Sequence, residues 1–349
     1  MSEKESLVQK IFNVEGLGKR LPWIDFAKGV AIVAVVYRHI LFGLEGAGLS
    51  YSAIFTNVSL LIESIRMPLF FILSGVFVRR SLVKKDNQAF VKNKLETMMY
   101  PYFVWTFIQV TIQIAFGNYT NSSRGLQDYL YIFYAPRSID HFWFIYALFA
   151  VSVTFMLLYR VSSGNKLVLT TVGLFLYGIS PWVHINIIED VCRYLIFFVT
   201  GDLLATFISN PENKKRIASP YFSLFFLAFF SLGQWFIMQY PNMSNHFMLA
   251  IVSLAGSFLT INIGFMVGDL PVLKFVRVIG FHSMYIYIMH VLVAGTTRAV
   301  LLKVVGMQDE YLILTIVTTT SVLFPIAFYN LTKKYLYFLF SIKKGTAMG

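Results

Sequence analysis

The chain has 349 residues, is 57% hydrophobic and only 13% charged, and carries a formal net charge of +12. Soluble domains hold about 25% charged residues, and a water-soluble fold of this size could not hide so much apolar surface in one core. The excess positive charge sits in short loops between apolar runs, which reads as membrane topology and excludes nucleic acid as a partner.

The first twenty residues are polar and mixed in charge. The apolar run after them is long and has no small-residue cleavage site, so it reads as a retained signal-anchor helix. A spanning helix needs about 20 mostly apolar residues, and ten segments qualify. They run from Asp25 to Leu44, Val58 to Val78, Leu95 to Gly117, Phe142 to Arg160 and Leu167 to Ile187. The remainder are Val191 to Ile208, Pro220 to Tyr240, His246 to Val267, Ile279 to Leu301 and Tyr311 to Leu331. Lys and Arg favour the cytoplasmic side of a membrane. With the amino terminus inside, that side takes the basic clusters Lys4 to Arg20, Arg79 to Lys94, Lys214 to Arg216 and Lys333 to Lys344. The outer ends keep only Arg124, Arg137, Arg193, Arg298 and Lys303.

The expected fold is therefore an all-α, polytopic transmembrane helical bundle of about ten helices with both termini cytoplasmic. It divides into a cytoplasmic segment 1–23, a transmembrane domain 24–340 and a cytoplasmic tail 341–349. Most loops are short. The outside connection from Asn118 to Asp140 is long for a structureless loop, and reads as a tether or as a lid over a site. Asn118-Tyr-Thr120 and Asn121-Ser-Ser123 match the glycosylation triplet, which matters only in a eukaryotic secretory membrane. The single cysteine, Cys192, excludes an internal disulfide and a Cys-based metal cluster.

Lys28, Arg38, Arg66, His39 and His290 fall inside spans. Each is costly in hydrocarbon, so each should face the bundle interior, a partner or a water-filled cavity. Lys28 and His39 are eleven positions apart, which is three turns plus about 20° and roughly 16 Å along one face. Val35 lies between them with Ala31 and Ile32 on its flanks, and Asp25, one turn before Lys28, is placed to orient its ammonium. This is a cation at the cytoplasmic mouth and a deep imidazole joined by a narrow groove. Such spacing suits acyl-coenzyme A, whose phosphates would rest on cations while the pantetheine arm brings its thioester to His39. Histidine can take a hydroxyl proton near neutral pH, as acyl transfer to an alcohol requires. The alternatives are a snorkelling Lys28 and a His39 that only bonds between helices.

Glu63 lies three positions before Arg66, so the two can pair on one helical face, and Pro68 should kink the same helix. Arg66 is placed to stabilise an oxyanion or bind an acceptor sugar, or to form a structural pair with Glu63. His290 lies mid-span, either packing or catalytic. Asp140-His141-Phe142-Trp143 opens the fourth helix from outside, Trp143 as a belt aromatic and His141 as an exposed loop residue or a substrate ligand. By depth these residues converge on the outer half.

The run Ile24-Asp25-Phe26-Ala27-Lys28-Gly29-Val30-Ala31-Ile32 to His39 resembles the first-helix motif of the acyltransferase-3 family, which commonly has a basic residue, ten residues and then His. Met67-Pro68-Leu69-Phe70-Phe71-Ile72-Leu73-Ser74-Gly75 resembles its second motif, and Lys92 and Lys94 before Tyr100-Pro101-Tyr102 its basic cytoplasmic stretch. Phe142-Trp143-Phe144 and Ile286-Tyr287-Ile288-Met289-His290 resemble two later ones, in the same order. The likeness includes the fucose 4-O-acetylase-like branch. It departs in two places: Lys28 stands where Arg is common, and Arg66 where that branch often has His.

The resemblance implies a membrane O-acetyltransferase of the bacterial inner membrane, with acetyl-CoA from the cytoplasm as donor and no metal. The acceptor would be a hydroxyl of an envelope or exported glycan, or of its lipid-linked precursor. On this reading His39, Arg66 and His290 are catalytic, and Lys28, Asp25, Arg79, Arg80, Lys92 and Lys94 hold the donor. Glu63, His141 and Trp143 face the acceptor. The partners are acyl-CoA, a carbohydrate and the lipid bilayer, with a homo-oligomer left open. A carrier of a glycan or small anion is the rival, although the two related halves common in transporters are not visible.

Overall fold

A computed structural model describes residue 12 and residues 17–117, 124–242 and 245–343. Both glycosylation triplets, Lys4, Lys10 and Lys344 lie outside the described residues, as does most of the 1–23 segment. Helices, with short 3₁₀ and π turns, make up the regular structure, and no strand occurs among the described residues. In chain order they are α1 (Pro22–Gly46), α2 (Ala53–Gly75), α3 (Val78–Lys84), α4 (Asn87–Lys94) and α5 (Tyr100–Ala115). Next come α6 (Asp128–Tyr134), α7 (Trp143–Val161), α8 (Lys166–Ile179), α9 (Asn186–Phe207) and α10 (Pro211–Ile217). The last are α11 (Pro220–Gln239), α12 (His246–Val267), α13 (Lys274–Phe281), α14 (Ser283–Ala299) and α15 (Glu310–Thr332).

Seven of these are long and apolar enough to cross a membrane: α1, α2 running on into α3, α7, α11, α12, α14 with its following turn, and α15. The chain is an integral membrane protein. The other three expected spans form helices, but each misses that measure for a visible reason. The 95–117 segment opens with a π turn, Leu95–Met99, which leaves 16 residues for α5. The 167–187 segment stops after 14 residues of α8 and tightens into the 3₁₀ turn Ser180–Trp182, because Pro181 has no N–H to continue the α-helical ladder. Helix α9 has 22 residues but includes Glu189, Asp190, Arg193 and Asp202.

Helix α1 is the centre of the bundle and packs on α2, α12, α13, α14 and α15. In hydrocarbon the helices gain nothing from expelling water, so close packing through small residues drives association. The α1–α13 crossing shows this. A Cβ on Gly280 would overlap the Asp25 carbonyl, and a Cβ on Gly29 would overlap the Val276 carbonyl. Only glycine allows the backbones to approach so closely, and the contact brackets Lys28. Pro68 lies inside α2 and Pro325 inside α15.

Arg79 of α3 meets Asp202 of α9 in a two-point pair, Nε to Oδ1 at 2.9 Å and Nη2 to Oδ2 at 2.6 Å. Asp202 is 1% exposed. Removing the guanidinium strands a buried carboxylate, a loss of about 3 kcal/mol. Arg79→Ala should lower the thermal unfolding midpoint of the detergent-purified protein. Arg79→Met combined with Asp202→Leu should restore most of it, because replacing both charges with apolar groups is nearly neutral.

Candidate active site

Two cavities open on either side of a layer of aromatic side chains near α1. The first, of about 90 Å³, is lined by Lys28, Ser74, Thr97, Phe144, Ser283 and Tyr287. The second, of about 550 Å³ at the far end, is lined by His39, Gly43, Gln113, Asp140, Arg298 and Lys303 among others. A π turn borders each one, Leu95–Met99 the first and Val300–Val304 the second. Such turns are uncommon and favour functional sites.

Between the cavities lie three imidazoles from three elements. The His39 ring of α1 is 5.2 Å from that of His290 in α14 and 5.8 Å from that of His141, in the turn before α7. His141 and His290 are 4.7 Å apart, centroid to centroid. His141 is 1% exposed and His290 is fully buried, so His141 is not the exposed loop residue that its position suggested. The long outside connection delivers it. From residue 124 that connection is ordered around Arg124, which pairs with Asp128 at 2.8 Å and Asp140 at 2.9 Å. Asp140 also accepts from Gln109 at 2.7 Å and Gln113 at 2.9 Å. It adopts a left-handed backbone, φ 44°, that turns the chain into His141.

The hydrogen bonds of the cluster define its chemistry. Nδ1 of His290 faces the carbonyls of Tyr287 at 2.7 Å and Ile286 at 3.1 Å. Carbonyls only accept, so Nδ1 holds the proton and Nε2 is an acceptor. That Nε2 and both ring nitrogens of His141 are buried without a partner among the described residues. An unmade buried hydrogen bond costs about 1–3 kcal/mol, so three together mark a place kept for a reacting group. Among the described residues no group of three His, Cys, Asp or Glu is arranged to hold a metal.

The structure revises several expected roles. The groove from Lys28 to His39 is closed: Ala31, Ile32 and Val35 are at most 1% exposed, and the first cavity ends on Phe144 and Tyr287, whose rings are 5.4 Å apart. The Asp25 carboxylate takes the Arg20 Nε–H at 3.0 and 3.2 Å and acts on Lys28 through its charge. Arg79 is committed to Asp202, and Arg80 and Lys92 are exposed. Lys94 does sit near Lys28. Burial, with Lys85 and Lys28 adding to it, pushes the Lys94 ammonium down to about 8. Arg66 pairs with Glu63 at 3.3 Å, as the spacing implied, and is among the charges close to His39. Trp143 lies outside the cluster, its ring under Arg137 at 4.4 Å and 5.8 Å from that of Tyr194.

Tyr287, Asp140 and Arg298 were not singled out from the sequence. Tyr287 donates its hydroxyl to the His141 carbonyl, and its ring is 5.1 Å from that of His141. Its signal in the sequence is its place in the Ile286-to-His290 run, three residues before His290.

Residues 21–330 match the acyltransferase-3 family, described as an acyltransferase domain. The chain belongs to that family and is a membrane acyltransferase, which favours an enzyme over a carrier. No curated protein and no solved structure matches it.

Tyr287→Phe removes the hydroxyl that fixes the His141 backbone, worth about 1 kcal/mol. It should slow acyl transfer roughly fivefold, as read in steady-state kinetics on purified protein.

Proposed function

We propose that this protein is an O-acyltransferase, most simply an O-acetyltransferase of the fucose 4-O-acetylase-like branch. It moves the acyl group of cytoplasmic acyl-CoA to a hydroxyl of an envelope or exported glycan, or of its lipid-linked precursor. The observation that carries the reading is the histidine cluster, with its unpartnered nitrogens, standing between a cavity walled by Lys28 and a larger one walled by His39. Ten membrane-crossing helices, both termini in the cytoplasm and the bacterial inner membrane complete the proposal. The basic clusters at the Lys28 end support that orientation. Helix α11 turns nearly all its apolar surface outward, as a lipid-facing or self-associating helix does.

Lys28 and Lys94, with Lys92 and Arg80 at the surface, hold the coenzyme phosphates. An ammonium binds them as a point charge, without the two-point grip of arginine. The arm reaches the cluster by displacing Phe144 and Tyr287, because a 90 Å³ cavity is too small for it. His39 accepts the acceptor hydroxyl proton as the oxygen attacks the thioester carbonyl. The tetrahedral oxyanion collapses, the carbon–sulfur bond breaks, and the imidazolium returns the proton to the leaving thiolate. In the reacting complex the His39 ring closes the 5.2 Å to His290 and donates its remaining N–H to the Nε2 of His290, which orients the base as in nucleophilic sites generally. His141 and Arg66 supply donors to the oxyanion or acceptor side.

His39→Ala should lower transfer from radiolabelled acetyl-CoA, assayed in native membranes, by about 10²–10⁴-fold. Full activity in that variant would refute the assignment. The charged form of Lys94 binds anions, so donor capture should hold below its value of about 8 and fall as pH rises through it. The kcat/KM profile for acyl-CoA should show this limb, and Lys94→Arg should move it to higher pH.

A further inference from the structure

The far cavity carries two positive groups that the reaction above does not use, Arg298 and Lys303. Arg298 lies in the last turn of α14, yet its guanidinium packs across onto α1 at Gly43. Gly43 is four residues beyond His39, or about 6 Å along the helix axis. Any Cβ at Gly43 would overlap Nη1 of Arg298, so the glycine makes the seat for the guanidinium.

Three other outer arginines have acids, while Arg38, beside His39, lies over the Phe42 ring at 3.4 Å. Arg124 pairs with Asp128 and Asp140, Arg137 with Asp190, and Arg193 with Glu189 at 2.7 Å. Among the described residues no carboxylate pairs with Arg298. Asp140, the acid on the cavity wall, is already taken by Arg124, and Lys303 adds a second positive group. A cation placed at membrane depth is costly unless a counter-charge reaches it. A cavity of about 550 Å³ falls in the ordinary range for small-ligand sites.

We propose that this cavity takes an anionic acceptor, a sugar unit carrying a phosphate or carboxylate, which Arg298 binds about one helical turn beyond the hydroxyl presented to His39. The proposal rests on the acyl-transfer reading and names the acceptor class for the same site. A neutral sugar leaves Arg298 without a counter-charge; a phosphorylated or uronic acid unit supplies it while its hydroxyl faces the imidazoles.

The test uses the full-length protein in detergent micelles, titrated calorimetrically with glucose 1-phosphate, glucuronate, glucose and coenzyme A. Both charged sugars should bind the wild type more tightly than glucose does. Arg298→Gln should weaken them at least tenfold and leave glucose and coenzyme A unchanged. Arg298→Lys should keep part of the preference, and keeps a comparison with the wild type if the Gln variant does not fold. Equal affinity for the charged sugars in wild type and variants overturns the proposal. So does a parallel loss of coenzyme A binding, which would assign the cation to the donor phosphates. Absence of coenzyme A binding in the wild type would instead sink the acyl-CoA reading, while the sugar titrations still decide the anion site.

Discussion

Hydrocarbon offers no hydrogen bonds, so each polar group inside the bundle must find its partner in the protein or line a cavity. The structure follows that constraint almost throughout. Arg79 is held by Asp202, Arg66 by Glu63 and Arg137 by Asp190, and Gln109 and Gln113 both donate to Asp140. Among the described residues, single atoms at scattered positions lack a partner, among them Nε of Arg38 and the Ser59 and Ser321 hydroxyls, but two touching rings hold three of them together. Three buried imidazole nitrogens on His141 and His290 lack partners beside the cavity wall formed by His39. A membrane protein accepts that cost where chemistry needs free lone pairs and donors.

Helix α1 converts the constraint into a two-sided device. It is central in the bundle, and ten residues of it separate a cation on one cavity from an imidazole on the other. Its small residues allow α13 to lie backbone to backbone against it near Lys28, and allow the Arg298 guanidinium to reach it at Gly43. The two cavities do not join. Phe144 and Tyr287 close the space between them, and Tyr287 also holds the backbone of His141. One residue thus connects the barrier to the geometry of the cluster, so passage of an acyl arm and alignment of the imidazoles are coupled. The π turns beside both cavities release backbone from the regular helical ladder where ligands would have to fit.

Much of this was legible before any coordinates. Composition and hydropathy demanded a helical membrane protein, because no soluble core could hold so much apolar surface. The eleven-residue interval placed Lys28 and His39 on one face because helical periodicity is local, and the three-residue interval paired Glu63 with Arg66 for the same reason. The order of motifs pointed to the acyltransferase-3 family. The depth of His39 and His290 in their spans suggested that they converge.

What the chain alone left undecided depends on which helix lies beside which. Asp25 was read as the partner of Lys28 from its spacing, but the turn before α1 brings Arg20 to it. Arg79 read as a phosphate ligand until α9 placed Asp202 opposite. His141 looked exposed because it sits in a loop, and it is buried because Arg124 and Asp140 fold that loop inward. The groove drawn from Ala31 and Val35 was a property of one isolated helix, and neighbouring helices fill it. Local periodicity settled which residues share a helical face. Only the packing of distant segments, with no water to satisfy what they leave unpaired, decided which charges are spent on structure and which nitrogens stay free.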